Sequence, residues 1–174
     1  MNNDTLLLVG EIDGHRSDFA TLMSMMNYVR VTTIDAIEDI TIEELDFLHT
    51  EEGNTIGMLL FHVAAVETAY QIETFEKRDF TEEELAKWEA ALVLGEKGRE
   101  QIKGNDVNFY LDLLEQVRTK TFAEFQNLSD DWLFEKSEMW GTIATNYFQW
   151  FHVFEDELNH RGQIRLIRNL YKNK

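Results

Sequence analysis

The stretch FHVFEDELNHRGQIRLIRNL, Phe151 to Leu170, decides how the chain reads. Its spacing predicts a helix running from about Thr145 to Tyr171. Within it His152, Asp156 and His160 stand at i, i+4 and i+8, so they share one helical face. Phe148 below, with Ile164 and Ile167 above, continues the same line, which points it toward apolar packing. An ionised carboxylate in an apolar bundle interior is costly unless it is paired. A divalent cation is one way to satisfy it, and a His/Asp pair four residues apart on a helix presents two ligands to one ion. His152 and His160 are about 12 Å apart along the axis. One ion can therefore take Asp156 with His160, or His152 with Asp156, and spacing leaves both open. A third ligand must come from another helix. His62 is the candidate, because it lies among Met58, Leu59, Ala65, Val66 and Ala69 with no local polar partner. Without a metal, the same residues would be a hydrogen-bonded histidine cluster in a core. His15 and His49 sit in loop-like surroundings and read as surface residues.

Working outward, the rest of the chain has the same helical period. A first helix is predicted from about Ser17 to Ile37. A short one follows the capping pair Thr41 and Glu44, through Leu48. Another runs from Asn54 or Thr55 to about Phe75, with a wide apolar face that makes it central. Thr81 and Glu84 start a short helix ending near Leu94, and the glycine-containing segment from Gly95 to Gly104 reads as a loop. A further long helix spans about Asp106 to Leu128, and residues 129–138 form a partly helical connection. Four helices of about 20 residues each would be about 30 Å long, the proportion of a four-helix bundle. The stretch between the second and third is too long for a tight hairpin and allows a crossover. No segment alternates with the period of a strand, and no phosphate loop or nucleophile elbow is present. The expected fold is thus all-α, one domain over residues 1–174, with short extra helices in the connections.

Composition agrees. Hydrophobic residues make up 44% and charged residues 28% of the 174, ordinary globular values. The absence of proline permits long unbroken helices. The absence of cysteine excludes disulfides, thiolate metal sites and a cysteine nucleophile. A formal charge of −17 repels phosphate backbones and anionic membranes. Leu6 to Val9 is too short an apolar run, and lacks the basic flank, for a signal peptide. A cytoplasmic location is the resulting expectation.

Two motifs carry a family resemblance. The segment from His160 through Arg161, Gly162 and Gln163 to Ile164, after acidic and aromatic residues, resembles the C-terminal motif of the DinB/YfiT-like metalloenzyme superfamily. The stretch IGMLLFHVAAVE, Ile56 to Glu67, resembles its second-helix motif. The resemblance implies a bundle of up-down-down-up topology and often a homodimer. It implies a metal held by one histidine of the second helix and an i, i+4 pair of the last, which fall here on His62, Asp156 and His160. Asp156 departs from the commoner histidine, so the departure bears on metal identity more than on binding: zinc or nickel first, iron or manganese next. His152 becomes a neighbour of the ligands or a substitute for one. Characterised relatives use low-molecular-weight thiols such as bacillithiol or mycothiol, which implies a thiol-dependent transferase or isomerase acting on a small molecule. The alternative is a metal-binding bundle without turnover, acting as a binding or stress-related protein. Arg161, beside a ligand, is the candidate contact for an anionic substrate, although the basic run after Glu157 also suits a helix C-terminus. Gly162 reads as a point where a neighbouring helix comes close.

Overall fold

The computed structural model describes residues 6–12 and 16–174, so the expectation for His15 lies outside the described residues. Its long elements are α1 (Asp18–Asp35), α3 (Ile56–Tyr70), α6 (Val107–Phe125) and α8 (Asn146–Lys172). Each begins at a side chain that accepts from an otherwise unpaired backbone N–H: Ser17, Thr55, Asp106 and Thr145. The connections carry α2 (Ile42–Leu45), α4 (Glu82–Val93), α5 (Gly95–Gln101) and α7 (Asp130–Leu133). The capping boxes expected at Thr41 and Thr81 are both formed. After Tyr70 the helix widens into a π turn, Gln71–Glu76, and stops at Lys77 in the left-handed region, φ 52°.

Two elements differ from the sequence reading. The segment taken as a loop after Leu94 contains α5. Gly98 is there for packing and does not break the helix, since a Cβ on it would stand 2.7 Å from the Met58 side chain. A small hairpin also interrupts the all-helical chain: β1 (Lys136–Met139) pairs antiparallel with β2 (Thr142–Thr145). Its two turn residues, Trp140 and Gly141, both have positive φ, 53° and 77°, as a tight hairpin turn demands. Four-residue strands joined through a tryptophan lack the Asn-Gly type of signal that marks such turns.

The apolar core falls into two clusters. One joins Ile37, just after α1, to the start of α3, to Tyr110 and Leu114 of α6, and to Ile164 and Ile167 of α8. The other joins Phe19, Leu22 and Met26 of α1 to Tyr70, Phe125, Trp150 and Val153. Hence α1 and α8 run one way while α3 and α6 run the other, the up-down-down-up arrangement. The crossover between α3 and α6 lays α4 against α3. Gly57 allows α3 and α6 to meet, for a Cβ there would lie 2.5 Å from the Tyr110 hydroxyl oxygen. Trp88, Trp132 and Trp150 are buried, and Trp140 alone of the four tryptophans is exposed, at the hairpin tip. Among the described residues no helix is long and apolar enough to cross a membrane.

Between the two clusters lies a layer of charge. Each long helix contributes one residue: Arg30, Glu67, Arg118 and Glu157, all buried. Arg30 donates to both carboxylates, at 2.8 and 3.1 Å to Glu157 and 3.1 Å to Glu67. Arg118 does likewise, at 2.8 and 3.1 Å to Glu67 and 3.2 Å to Glu157. The remaining guanidinium nitrogens reach the carbonyls of Leu114 and Met26. Thr121 donates to Glu67 at 2.7 Å. Burial alone would raise the Glu67 carboxyl, but the Arg118 and Arg30 guanidinium groups hold it below its ordinary range. The stability it contributes is present above that range and is lost only as pH falls through the depressed value. Removing one member of a buried pair costs about 3–5 kcal/mol, against a total of about 5–15 kcal/mol for a domain. Glu67→Ala is therefore expected to lose that amount in urea denaturation. A loss below about 1 kcal/mol, the worth of an ordinary hydrogen bond, would show that the layer is not needed.

Candidate metal centre

Adjoining this layer on two of the same helices, α3 and α8 bring His62, Asp156 and His160 together. One ligand atom from each lies within 4.8 Å of the other two. The His62 Nε2 is 3.6 Å from Asp156 Oδ2, and the His160 Nε2 is 3.4 Å from Asp156 Oδ1. Both separations exceed a good hydrogen bond. Ligands about 2.0–2.1 Å from one ion at tetrahedral angles stand roughly 3.3 Å apart, so the spacing suits a shared cation. Asp156 Oδ2 is buried without any hydrogen-bond partner, the condition in which a carboxylate calls for a cation.

Both imidazoles are oriented from behind. His62 Nδ1 lies 2.8 Å from the carbonyl of Ala91, in the last turn of α4. The last carbonyls of a helix have no partner within it, so the crossover supplies an acceptor in place. His160 Nδ1 lies 3.2 Å from Gln163 Oε1. With Nδ1–H donating outward in each case, the Nε2 lone pairs face Asp156, the usual preparation of a histidine ligand. Gln163 belongs to the motif that carries the resemblance, and its i+3 position on the helix is the signal that could have placed it beside His160. Ala91 was unreadable, because a backbone carbonyl offers no residue type to read.

Other expected residues take separate places. His152 Nδ1 is 2.9 Å from the Tyr70 hydroxyl, and its ring stands edge-on to Trp140 at 5.1 Å. It is outside the three-residue group, so the geometry pairs Asp156 with His160. Arg161 donates to Thr32 Oγ1 of α1, which engages it in the α1–α8 contact. Gly162 is exposed with nothing within 4 Å, so no helix approaches it, and Phe148 is 42% exposed where a buried line was expected. The buried face of α8 is instead set by Trp150, Val153, Phe154, Glu157, Ile164 and Ile167.

A family comparison now bears on this geometry: the mycothiol-S-transferase family profile matches residues 21–173. The chain belongs to that family. Among solved structures, a conserved protein from Enterococcus faecalis shares the fold, with a TM-score of 0.64 at 14% identity, over 88% of this chain and 96% of the other. No protein of curated function matches the sequence. In this mycothiol-S-transferase family member the three-residue group lies on the second and last long helices.

Burial pushes the His62 imidazole below its ordinary range. Burial also opposes charge on His160, but the Asp156 carboxylate outweighs it and raises that imidazole. In the metal-free protein His160 thus protonates first as pH falls, starting above the ordinary value of about 6.5. Its protonated form contributes stability below that value, lost as pH rises through the raised one. Metal binding must displace this proton, so affinity is expected to begin falling with pH through the His160 titration, before His62 starts to compete at lower pH. Imidazole titration by NMR checks the order. His62 titrating above His160 would contradict it.

Proposed function

We propose that this protein is a metal-dependent enzyme that transfers a low-molecular-weight thiol, with one divalent ion held by His62, Asp156 and His160. The observation that carries the reading is the Asp156 carboxylate, buried with its Oδ2 unpartnered, which the His62 Nε2 faces at Oδ2 and the His160 Nε2 at Oδ1. Two nitrogens and one oxygen suit zinc or nickel, with iron(II) and manganese also able to use such a set. Three protein ligands leave positions for a substrate, and a metal there lowers the pKa of a bound thiol toward neutrality.

The chain's own groups have definable tasks. Ala91 and Gln163 hold the imidazoles in the tautomer that presents Nε2. Asp156 would supply the only anionic protein ligand of the three, so that a divalent ion there would keep a net positive charge for a thiolate to neutralise. His152, fixed by Tyr70, stands one turn from Asp156 and is placed to contact a substrate at the edge of the centre. Arg161 has no such task in this reading, because Thr32 engages it. The family supports a thiol as the small-molecule partner. The DinB/YfiT-like resemblance extends the proposal to a homodimer.

Elemental analysis after equilibration with zinc or nickel and dialysis is expected to give about one ion per chain. His62→Ala and His160→Ala are expected to lose it, while His152→Ala keeps it. Loss in His152→Ala with retention in His160→Ala would move the site by one turn. With cobalt(II) as the probe, adding mycothiol is expected to produce a thiolate-to-metal charge-transfer band. Metal uptake with no spectral response to thiols would favour the binding protein without turnover. Light scattering is expected to give twice the 20.5 kDa chain mass, and a monomer mass would remove the dimer from the proposal.

A further inference from the structure

One imidazole on the seam between α3 and α8 is prepared in the opposite sense to the two beside Asp156. His152 lies four residues before Asp156, about 6 Å along the axis of α8 and on the same face. Its Nδ1 is 2.9 Å from the Tyr70 hydroxyl oxygen. Either group could donate across that distance, so the proton is placed by what else each can reach. Tyr70 is buried, and its hydroxyl has no second acceptor among the described residues. Burial pushes its phenol above the ordinary range, with the Glu73 and Asp156 carboxylates acting the same way, so the O–H is kept. Were Nδ1 protonated, that O–H would be left buried without an acceptor, which is costly. Tyr70 therefore donates to Nδ1, and the ring proton of neutral His152 sits on Nε2.

The three histidines thereby divide into two kinds. At His62 and His160 Nδ1 faces an acceptor, the Ala91 carbonyl and the Gln163 amide oxygen, which leaves Nε2 as a lone pair for a cation. At His152 Nδ1 faces a donor, which leaves Nε2 as an N–H that repels a cation and suits an anion. The two nitrogens of an imidazole point nearly opposite ways, so this N–H is directed away from Tyr70. It meets no acceptor among the described residues. Nor can His152 serve as a base, because with Nδ1 filled by Tyr70 and a proton on Nε2 no lone pair remains to accept one. Trp140 holds the ring from a second side, edge-on at 5.1 Å. Trp140 stands at φ 53°, where a bulky side chain is strained. Such strain persists where the surrounding structure imposes it, and it concentrates at functional positions.

We propose that His152 is a catalytic residue that donates a hydrogen bond from Nε2 to the anionic sulfur of the co-substrate, and that Tyr70 is the positioning residue that keeps the proton there. The sulfur as acceptor rests on the function proposed above, whereas the tautomer does not. The test has two arms. In metal-free protein, long-range proton–nitrogen NMR spectra of neutral His152 are expected to show Nε2 protonated and Nδ1 bare. Tyr70→Phe, which removes only the hydroxyl, is expected to give a measurable Nδ1–H population. A wild-type ring protonated on Nδ1, or an unchanged spectrum in Tyr70→Phe, would overturn the assignment. In the second arm cobalt(II)-loaded protein is titrated with 2-mercaptoethanol. A hydrogen bond to sulfur lowers the energy of its lone pairs, so its loss moves the thiolate-to-metal charge-transfer band to longer wavelength and weakens binding about tenfold. His152→Ala is expected to show both changes. His152→Gln, whose amide N–H stands near the place of the imidazole Nε2–H, is expected to reverse them. A band and an affinity unchanged in His152→Ala, or the same changes in His152→Gln, would overturn the donor role. No band in the wild type would refute the thiol reading and the sulfur acceptor together, while the first arm would still decide the tautomer.

Discussion

Two arginines and two glutamates, one from each long helix, sit where the bundle would otherwise be continuous apolar packing. Their charges cancel, and each guanidinium also bonds a backbone carbonyl on a further helix, Leu114 for Arg30 and Met26 for Arg118. Apolar side chains tolerate small slips of one helix past another, but this layer does not. A shift of one turn would leave a buried charge without its partner, at far more than the cost of imperfect packing. The layer thus fixes the vertical register of all four helices at once.

That register reaches the candidate metal centre through one peptide bond. Glu157 is held in the layer, and Asp156 is its neighbour in the chain. Glu67, held in the same layer, lies five residues beyond His62 on α3. Fixing Glu157 against Glu67 through the shared arginines sets Asp156 opposite His62. Once that is set, His160 follows one turn along α8. The crossover then closes the arrangement, because α4 ends where its free Ala91 carbonyl meets the His62 ring. A structural interaction and a chemical site are therefore two consequences of one alignment.

Much of this was legible in the sequence. The i, i+4 spacing of Asp156 and His160, and the isolated imidazole of His62 on an apolar helix, identify three residues that the fold brings together. The helix starts were readable because Ser17, Thr41, Thr55, Thr81 and Thr145 are capping residues with a mechanism. The charged layer was missed although each of its four members continues an apolar stripe: Arg30 follows Met26, Glu67 follows Val63, Arg118 follows Leu114 and Glu157 follows Val153, each by four. A single charge in a stripe can be an error of register or a functional group, and only three-dimensional pairing resolves which. Burial calls for a cation at both neighbouring acids: Asp156 has two imidazoles beside it, whereas the fully buried Glu157 is satisfied by Arg30 and Arg118. Helix α5 and the hairpin were missed because glycines mark close packing as readily as breaks, and four-residue strands have no usable period.

The central claim is that the layer's alignment makes a three-ligand metal centre with room for a thiol. X-ray absorption spectroscopy of the zinc-loaded protein, before and after addition of mycothiol, tests it most directly. The account predicts a nitrogen and oxygen shell at about 2.0–2.1 Å with the scattering pattern of two imidazoles, gaining one sulfur at about 2.3 Å with thiol. A shell without imidazole scattering, or one that takes up no sulfur, would contradict it.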